Sequence, residues 1–343
     1  MMWSIINRLF SKKGSTSPLA LGIEIAPTGV CVAVLARNAA SAPVVKASAY
    51  FPCSQSDWAT VLRGFCRNND LEGADLKGVK TYVAFHPDYY QLMLIDAPEV
   101  PDEELADAVK WRVKDFVHGD MENYVVDAFR LPEDAYRGRM NMIYAAYIQK
   151  ELVMSVVELC ERLGLHLMTI GVSELARVNL TMGREEYANL GVAFLHMDEQ
   201  KGQIDLMENG CLYMSRGIDT GYAMFDQGAA SATSNLGDGG LDLLDNALGM
   251  DNSDRLDGLV LNIQRSLDYY ESQLGKNGIS KLMLLTPMPL SSEICENLSA
   301  KLPVSVEAFQ INSLLDCQQD CSGFMDSCSV AVGAALGGAD AAD

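Results

Sequence analysis

Two strand–turn–strand units, one opening each half of the chain, constrain the fold more than any other feature. The first is LALGIEIAPTGVCVAVLARN over Leu19–Asn38, which is apolar, rich in β-branched residues and broken once, at Pro27-Thr28-Gly29. That pattern reads as strand, tight turn, strand. The second runs through an apolar strand at Gly191–Met197 and a partner at Gln203–Met207 to Asn209-Gly210, then into Cys211–Ile218. Asn-Gly reaches the left-handed backbone region that a two-residue hairpin turn demands. Each hairpin is followed by mixed helix and strand, so the chain is expected to be α/β and two-lobed, with a weak resemblance between its halves.

The segments in between support this. A strand is expected around Val44–Phe51, then a helix opened by Ser56 and Asp57 with Trp58, Val61, Leu62 and Phe65 at helical spacing. Lys80–Phe85 reads as the next strand. Pro98 to Pro101 marks a boundary, and Pro101-Asp102-Glu103-Glu104 starts a helix, with acids where the dipole favours them. Leu105, Val109, Val113 and Phe116 repeat on one face of it. Tyr124–Leu131 and Met142–Ile148 alternate like strands. Residues 150–163 form a helix with Leu152, Val156, Leu159 and Leu163 inward, stopped by Gly164. In the second half, the polar stretch Gly228–Gly240 reads as a flexible loop and 256–274 as an amphipathic helix. Lys281–Leu285 is a buried strand, and Ser329–Leu336 a helix of small residues suited to close packing.

Composition removes several classes of function. In 343 residues, 26 Lys+Arg stand against 46 Asp+Glu, a net charge of −20. A phosphate backbone calls for a basic footprint, so general nucleic-acid binding is excluded. No run of about 18 apolar residues suggests a membrane span. The nine cysteines are an odd, scattered set without a C-x-x-C pair, which reads as reduced cytoplasmic thiols. Residues 1–18 read as a basic tail and linker without a signal-peptide cleavage site; Arg8, Lys12 and Lys13 stand beside Trp3, Ile6, Leu9 and Phe10. A membrane-surface helix and a plain basic tail both fit it.

The usual catalytic motifs are missing. There is no G-x-x-x-x-G-K-[ST], no G-x-G-x-x-G after a strand and no G-x-S-x-G. His86, His118, His166 and His196 are isolated, and the cysteines near the C-terminus fit no metal-ligand spacing, so no metal site is expected. What remains is the pair of hairpins. Actin-like ATPases hold a nucleotide between lobes with two such turns, using an acid at the strand end and a glycine that lets the backbone approach the phosphates.

Several segments resemble the PilM family of type IV pilus assembly proteins, and more closely its MshI branch in mannose-sensitive haemagglutinin (MSHA) pilus biogenesis. They are the basic N-terminus running into Leu21–Leu35; EELADAVKWRVKDF at Glu103–Phe116 with Tyr124–Leu131 after it; AAYIQKELVMSVVELCERL at Ala145–Leu163; LVLNIQRSLDYYESQL at Leu259–Leu274; and SVAVGAALG at Ser329–Gly337. The I-Q-R-S-L-D-Y-Y stretch is the most specific. An unrelated α/β protein with amphipathic helices is the competing explanation.

The resemblance implies a two-lobed actin-like (ribonuclease H-like) ATPase fold with a small inserted subdomain. It divides the chain into the tail 1–18, a first lobe of 19–85 and 149–188 with helix 329–338 packing back on it, an inserted subdomain at 86–148, and a second lobe at 189–328. It implies a cytoplasmic scaffold, peripheral at the inner membrane, that receives the N-terminal tail of a PilN-like membrane protein and couples to assembly ATPases. Trp111 and Phe116 are the candidate anchors for that partner, although an aromatic on a long helix also reads as core.

The family's nucleotide motifs are altered here. Asp-x-Gly of the first turn corresponds to Glu24-Ile25-Ala26, the second to His196-Met197-Asp198, and the adenine-side glycines to Thr286-Pro287-Met288-Pro289. Losing close backbone approach and amide donors costs several kcal/mol, at roughly 1.5–3 for each charged hydrogen bond. The expectation is therefore a pseudo-ATPase with degenerate motifs, for which Glu24, Thr28, Gly29 and Asp198 would be the residues nearest any ATP and its Mg²⁺. The alternative is an active ATP-binding actin-like protein, a filament former or ATPase, using the interlobe cleft.

Overall fold

β1 (Leu19–Ala26) and β2 (Gly29–Asn38) pair antiparallel in a register that brings Ala26 opposite Gly29, so only Pro27 and Thr28 make the turn. β3 (Ser41–Pro52) continues the antiparallel ladder on β2. On the other side of β1 lie β4 (Lys80–Phe85) and then β8 (His166–Val172), both parallel. Parallel neighbours need crossovers, and α1 (Trp58–Asn68) and α3 (Lys150–Leu163) provide them. This computed structural model describes residues 18–38, 41–69, 71, 78–117, 119–136, 141–182, 184–225, 252–286, 290–318 and 328–337. The chain forms two compact units, residues 1–184 with 310–343 and Glu185–Phe309. Almost all of the basic tail, the Gly228–Gly240 stretch and Pro287-Met288-Pro289 lie outside the described residues.

In the second unit, β9 (Gly191–Met197), β10 (Gly202–Glu208) and β11 (Cys211–Ile218) repeat the antiparallel trio. The turn after β10 places Asn209 and Gly210 at φ 50° and 72°, as the Asn-Gly pair predicts. α5 (Asn252–Ser272) leads to β12 (Ile279–Leu285), then α6 (Ser291–Ser299) to β13 (Ser305–Ala308), both strands parallel to β9. The sheet orders are β3-β2-β1-β4-β8, with the short strand Asp316–Cys317 added outside β3, and β11-β10-β9-β12-β13. These are one topology used twice, which is the duplicated sheet of the actin-like fold.

The first unit carries a third sheet. β5 (Tyr90–Asp96), β6 (Tyr124–Arg130) and β7 (Met142–Gln149) run antiparallel in the order β5-β7-β6. α2 (Asp102–Val113) lays Leu105, Val109 and Val113 on it, against Val126, Ala128, Ile143 and Ala145. Phe116 does not extend that stripe as its spacing suggests. The helix ends at Val113, Lys114–Phe116 tightens into a 3-10 turn, and the ring faces outward, 53% exposed. In α3 the buried stripe is Val153, Val156, Val157, Leu159 and Cys160, with Leu152 and Leu163 only half-buried, so the helix is rotated about one residue from the expected register.

On the face of the first sheet away from α1 and α3, α4 (Ser173–Asn179) packs against α8 (Ser329–Leu336). The sequence reading carries the second lobe to residue 328. In the structure the chain leaves that unit at Phe309, passes through α7 (Ile311–Leu314), and pairs β14 (Asp316–Cys317) with Val44 and Val45. This covers the end of an otherwise open edge of β3. Among the described residues no helix is long and apolar enough to cross a membrane.

Candidate functional site

Alternation along β1 decides where Glu24 goes. It faces its cross-strand neighbour Cys31 and is only 6% exposed. The Cys31 thiol hydrogen-bonds with Cys328, at the start of α8, and with Glu24. The bond to Cys328, then burial, then the negative charge around it, hold that thiol well above its ordinary range. Glu24 is thus engaged inside the fold. At the turn, Thr28 is exposed, but its carbonyl accepts a 3.0 Å hydrogen bond from Tyr50 Oη on β3. Pro27 has no N–H to offer. Gly29 is required by β3 itself, since a Cβ there would lie 2.2 Å from the carbonyl oxygen of Phe51.

Asp198, at the end of β9 in the second unit, is arranged in a similar way. Its side chain is 44% exposed, with Oδ1 3.6 Å from His196 Nε2. Its carbonyl accepts from the amide of Tyr222 at 2.8 Å, and that of Glu199 from Ala223 at 3.0 Å. A Cβ on Gly221 would stand 2.4 Å from both carbonyl oxygens, so segment 221–223 closes directly over the turn. In both units a later piece of chain donates to carbonyl oxygens of the turn. Thr286, just after β12, is buried. Among the described residues, no three His, Cys, Asp or Glu side chains gather as a metal site.

Trp111 and Phe116 lie on the subdomain helix and the turn after it. Trp111 is 77% exposed, with Lys114 Nζ 5.7 Å from its ring centroid, so it is not core. Close to Phe116 is a groove that sequence spacing did not reveal. Tyr147 Oη donates to the Phe116 carbonyl at 3.2 Å, and the Tyr147 ring meets Tyr124 edge-on at 5.9 Å. Together with Tyr89, Tyr90, Gln91 and Leu152 these rings line a groove with roughly 220 Å³ of free volume, where β5 starts and α3 begins. The lining mixes the aromatic rings with exposed polar residues, Asp88, Gln91 and Gln149. Rigid aromatic walls with a few polar groups are what an extended apolar peptide needs.

Tyr90 is tied to the interior behind the groove. Its hydroxyl donates to the carboxylate of Glu174, which is fully buried, and accepts from the amide of Ser173 at 3.2 Å. Ser173 Oγ in turn donates to the Phe85 carbonyl at 2.6 Å. Burial and the Glu174 carboxylate push the Tyr90 hydroxyl well above its ordinary range, with Arg177 and the Ser173 side chain opposing. Tyr90 and Glu174 are 84 residues apart, and no local pattern links them. The only sequence sign was a pair of tyrosines after a strand and a proline.

No protein-family profile matches the chain, and no curated protein does. Among solved structures its fold is similar to that of the PilM–PilN type IV pilus biogenesis complex, at 19% identity and a TM-score of 0.66, covering 94% of this chain and 98% of that one. Likeness is weaker to a Bacteroides thetaiotaomicron protein with an actin-like ATPase fold (11% identity, 92% and 96% covered, TM-score 0.49). It is weaker again to the cytoplasmic domain of EpsL, an inner-membrane component of the type II secretion system of Vibrio cholerae (10%, 93% and 94%, TM-score 0.45). At such identities the likeness is one of fold.

Proposed function

We propose that this chain is a cytoplasmic adaptor of a type IV pilus assembly platform, of the MSHA type, and that it binds the N-terminal tail of a PilN-like inner-membrane protein. The observation that carries the reading is the tyrosine groove beside Phe116, with Trp111 exposed on the same subdomain. Apolar anchors of a partner segment would enter between Tyr89, Tyr124 and Tyr147. The acidic body favours a tail with basic residues next to the membrane. A net charge of −20 also repels an anionic leaflet, so such a partner would hold the adaptor at the membrane.

The same reading makes the chain a pseudo-ATPase. Support comes from the two turns, where Glu24 is engaged with Cys31 and the turn carbonyls are tied to Tyr50, Tyr222 and Ala223. A buried acid and a proline without an N–H fit a phosphate cradle poorly. The adaptor reading is tested by fluorescence polarisation with a labelled synthetic peptide of the PilN-like protein's cytoplasmic tail. Saturable binding that Tyr124→Ala weakens at least tenfold is expected; no binding by the full chain would sink it.

A further inference from the structure

α2 covers only part of its sheet. It packs on Val126 and Ala128 of β6 and on Ile143 and Ala145 of β7, and it ends at Val113. Further along the same face the sheet is open, where Gln91 pairs with Tyr147 and Gln149 with Tyr124. Directly opposite residues share a face, and so do alternate residues of one strand. Gln91, Tyr147, Gln149 and Tyr124 therefore stand side by side in the groove. Tyr147 Oη is already committed to the Phe116 carbonyl at 3.2 Å. The two carboxamides are exposed, and neither has a hydrogen-bond partner among the described residues. A wholly apolar occupant would strip water from their donors and acceptors and give nothing back.

The spacing of the two glutamines points to what satisfies them. Gln91 lies opposite Tyr147, and Gln149 is two positions further along β7, so the pair are diagonal neighbours on the sheet, about 7–8 Å apart. An extended chain advances about 6.6–6.8 Å in two residues and presents an N–H and a C=O on the same edge at that interval. A carboxamide has one acceptor and one donor group to match them. We infer that Gln91 and Gln149 bind the main chain of an extended partner segment at two alternate residues. This rests on the groove being the partner site. With that edge down on the glutamines, the side chains of the segment project sideways, towards the tyrosine rings. A helical segment has its amides already bonded and leaves both glutamines unpaired. A proline at either matched position removes the N–H that the groove requires. The groove thus selects backbone form first, and its rings add a preference for apolar side chains.

The test is fluorescence polarisation with the full chain and the synthetic PilN-like tail peptide, made also as a series in which one amide at a time is replaced by an ester. An ester lacks the N–H but keeps the side chain. The chain is compared as wild type, Gln91→Met and Gln149→Met, which keep side-chain length without the carboxamide. Both positions are exposed, so the variants should melt as wild type does. Each should bind the all-amide peptide about tenfold more weakly. On wild type, esters at two positions, two residues apart, should each weaken binding about tenfold, and the others should change little. Each of those two esters should cost nothing further on the matching variant, because the N–H and its acceptor are one interaction. Methionine variants that bind as wild type overturn the main-chain contact and leave the adaptor reading standing. So do ester losses that add in full to the glutamine losses, or a sensitive pair that is not two residues apart. A wild-type chain that binds no peptide overturns the adaptor reading and this inference with it.

Discussion

Gly22 on β1 and Ala331 on α8 approach so closely that a Cβ on the glycine would stand 1.8 Å from the alanine's carbonyl oxygen. Gly333 stands in the same relation to Ala176. Backbone packs on backbone here, and the small residues of α8 permit it. Gly22→Ala and Gly333→Ala are each expected to cost about 1–3 kcal/mol, as overpacking does, in urea unfolding. Gly64→Ala in α1 is the control: nothing lies within 4 Å of its Cβ position, and the change should stabilise by about 0.5–1 kcal/mol. Equal effects at all three positions would contradict the close approach.

In the second unit, Lys276 closes a small polar network. Its Nζ lies 3.4 Å from Glu208 Oε2, donates to Tyr213 Oη at 2.9 Å and sits 4.3 Å from the Tyr213 ring centroid. Tyr270 Oη donates to the same Glu208 oxygen at 2.9 Å. Both charges are largely shielded from water, so removing one leaves the other in poor surroundings. Lys276→Met should destabilise by about 3 kcal/mol, and adding Glu208→Gln should restore a substantial part of that loss. A double variant no more stable than Lys276→Met would show that the pair is not coupled.

Much of this architecture is legible in the sequence because it is local. Pro27-Thr28 and Asn209-Gly210 announce their hairpins, Gly164 takes the left-handed cap at φ 71° and stops α3, and β4, β9, β11 and α8 keep the bounds that their apolar runs suggest. β5 and β8 do not show, because YQLMLID and HLMTIGV lack clean alternation, each lying at a sheet edge with mixed exposure. Phe116 keeps helical spacing from Val113 but not helical backbone, so periodicity places it on the wrong face. The groove and the Tyr90–Glu174 bond join residues from β5, β6, β7, α3 and α4. Contacts across that separation leave no local pattern in a chain.

Two buried thiols give a pH dependence with a defined sign. Burial raises Cys66 from its ordinary 9.0 to about 11 and Cys160 to about 12. Unfolded, both lose their protons near 9; folded, they keep them. The native chain therefore holds more protons above pH 9, and stability falls as pH rises, by up to about 1.4 kcal/mol per unit for each thiol. Urea unfolding at pH 8, 9.5 and 10.5 should show a shallower decline in Cys66→Ala/Cys160→Ala than in wild type. Parallel declines would contradict the assignment.

Trp111 separates a binding role from a structural one. At 77% exposure its loss touches little of the core, so Trp111→Ala should change unfolding free energy by no more than about 0.5 kcal/mol. As a partner anchor it should cost about 2 kcal/mol of binding, roughly thirtyfold in affinity for the tail peptide. A variant that binds as wild type removes Trp111 from the interface and leaves the tyrosine groove as the site to probe.

Nucleotide binding can be judged by linkage. A ligand present at 100 times its dissociation constant stabilises the native state by about 2.7 kcal/mol, which in a chain of this size raises the melting temperature by about 4 °C. With 1 mM Mg-ATP, a 10 µM site would give that rise. Glu24 is buried, Pro27 has no N–H for a phosphate, and the Gly221–Ala223 segment lies over the Asp198 turn. The expected shift is below 1 °C, with no phosphate release above background. A rise of several degrees that Glu24→Ala or Thr28→Val abolishes would instead make this an ATP-binding protein, and the turns would have to open to admit it.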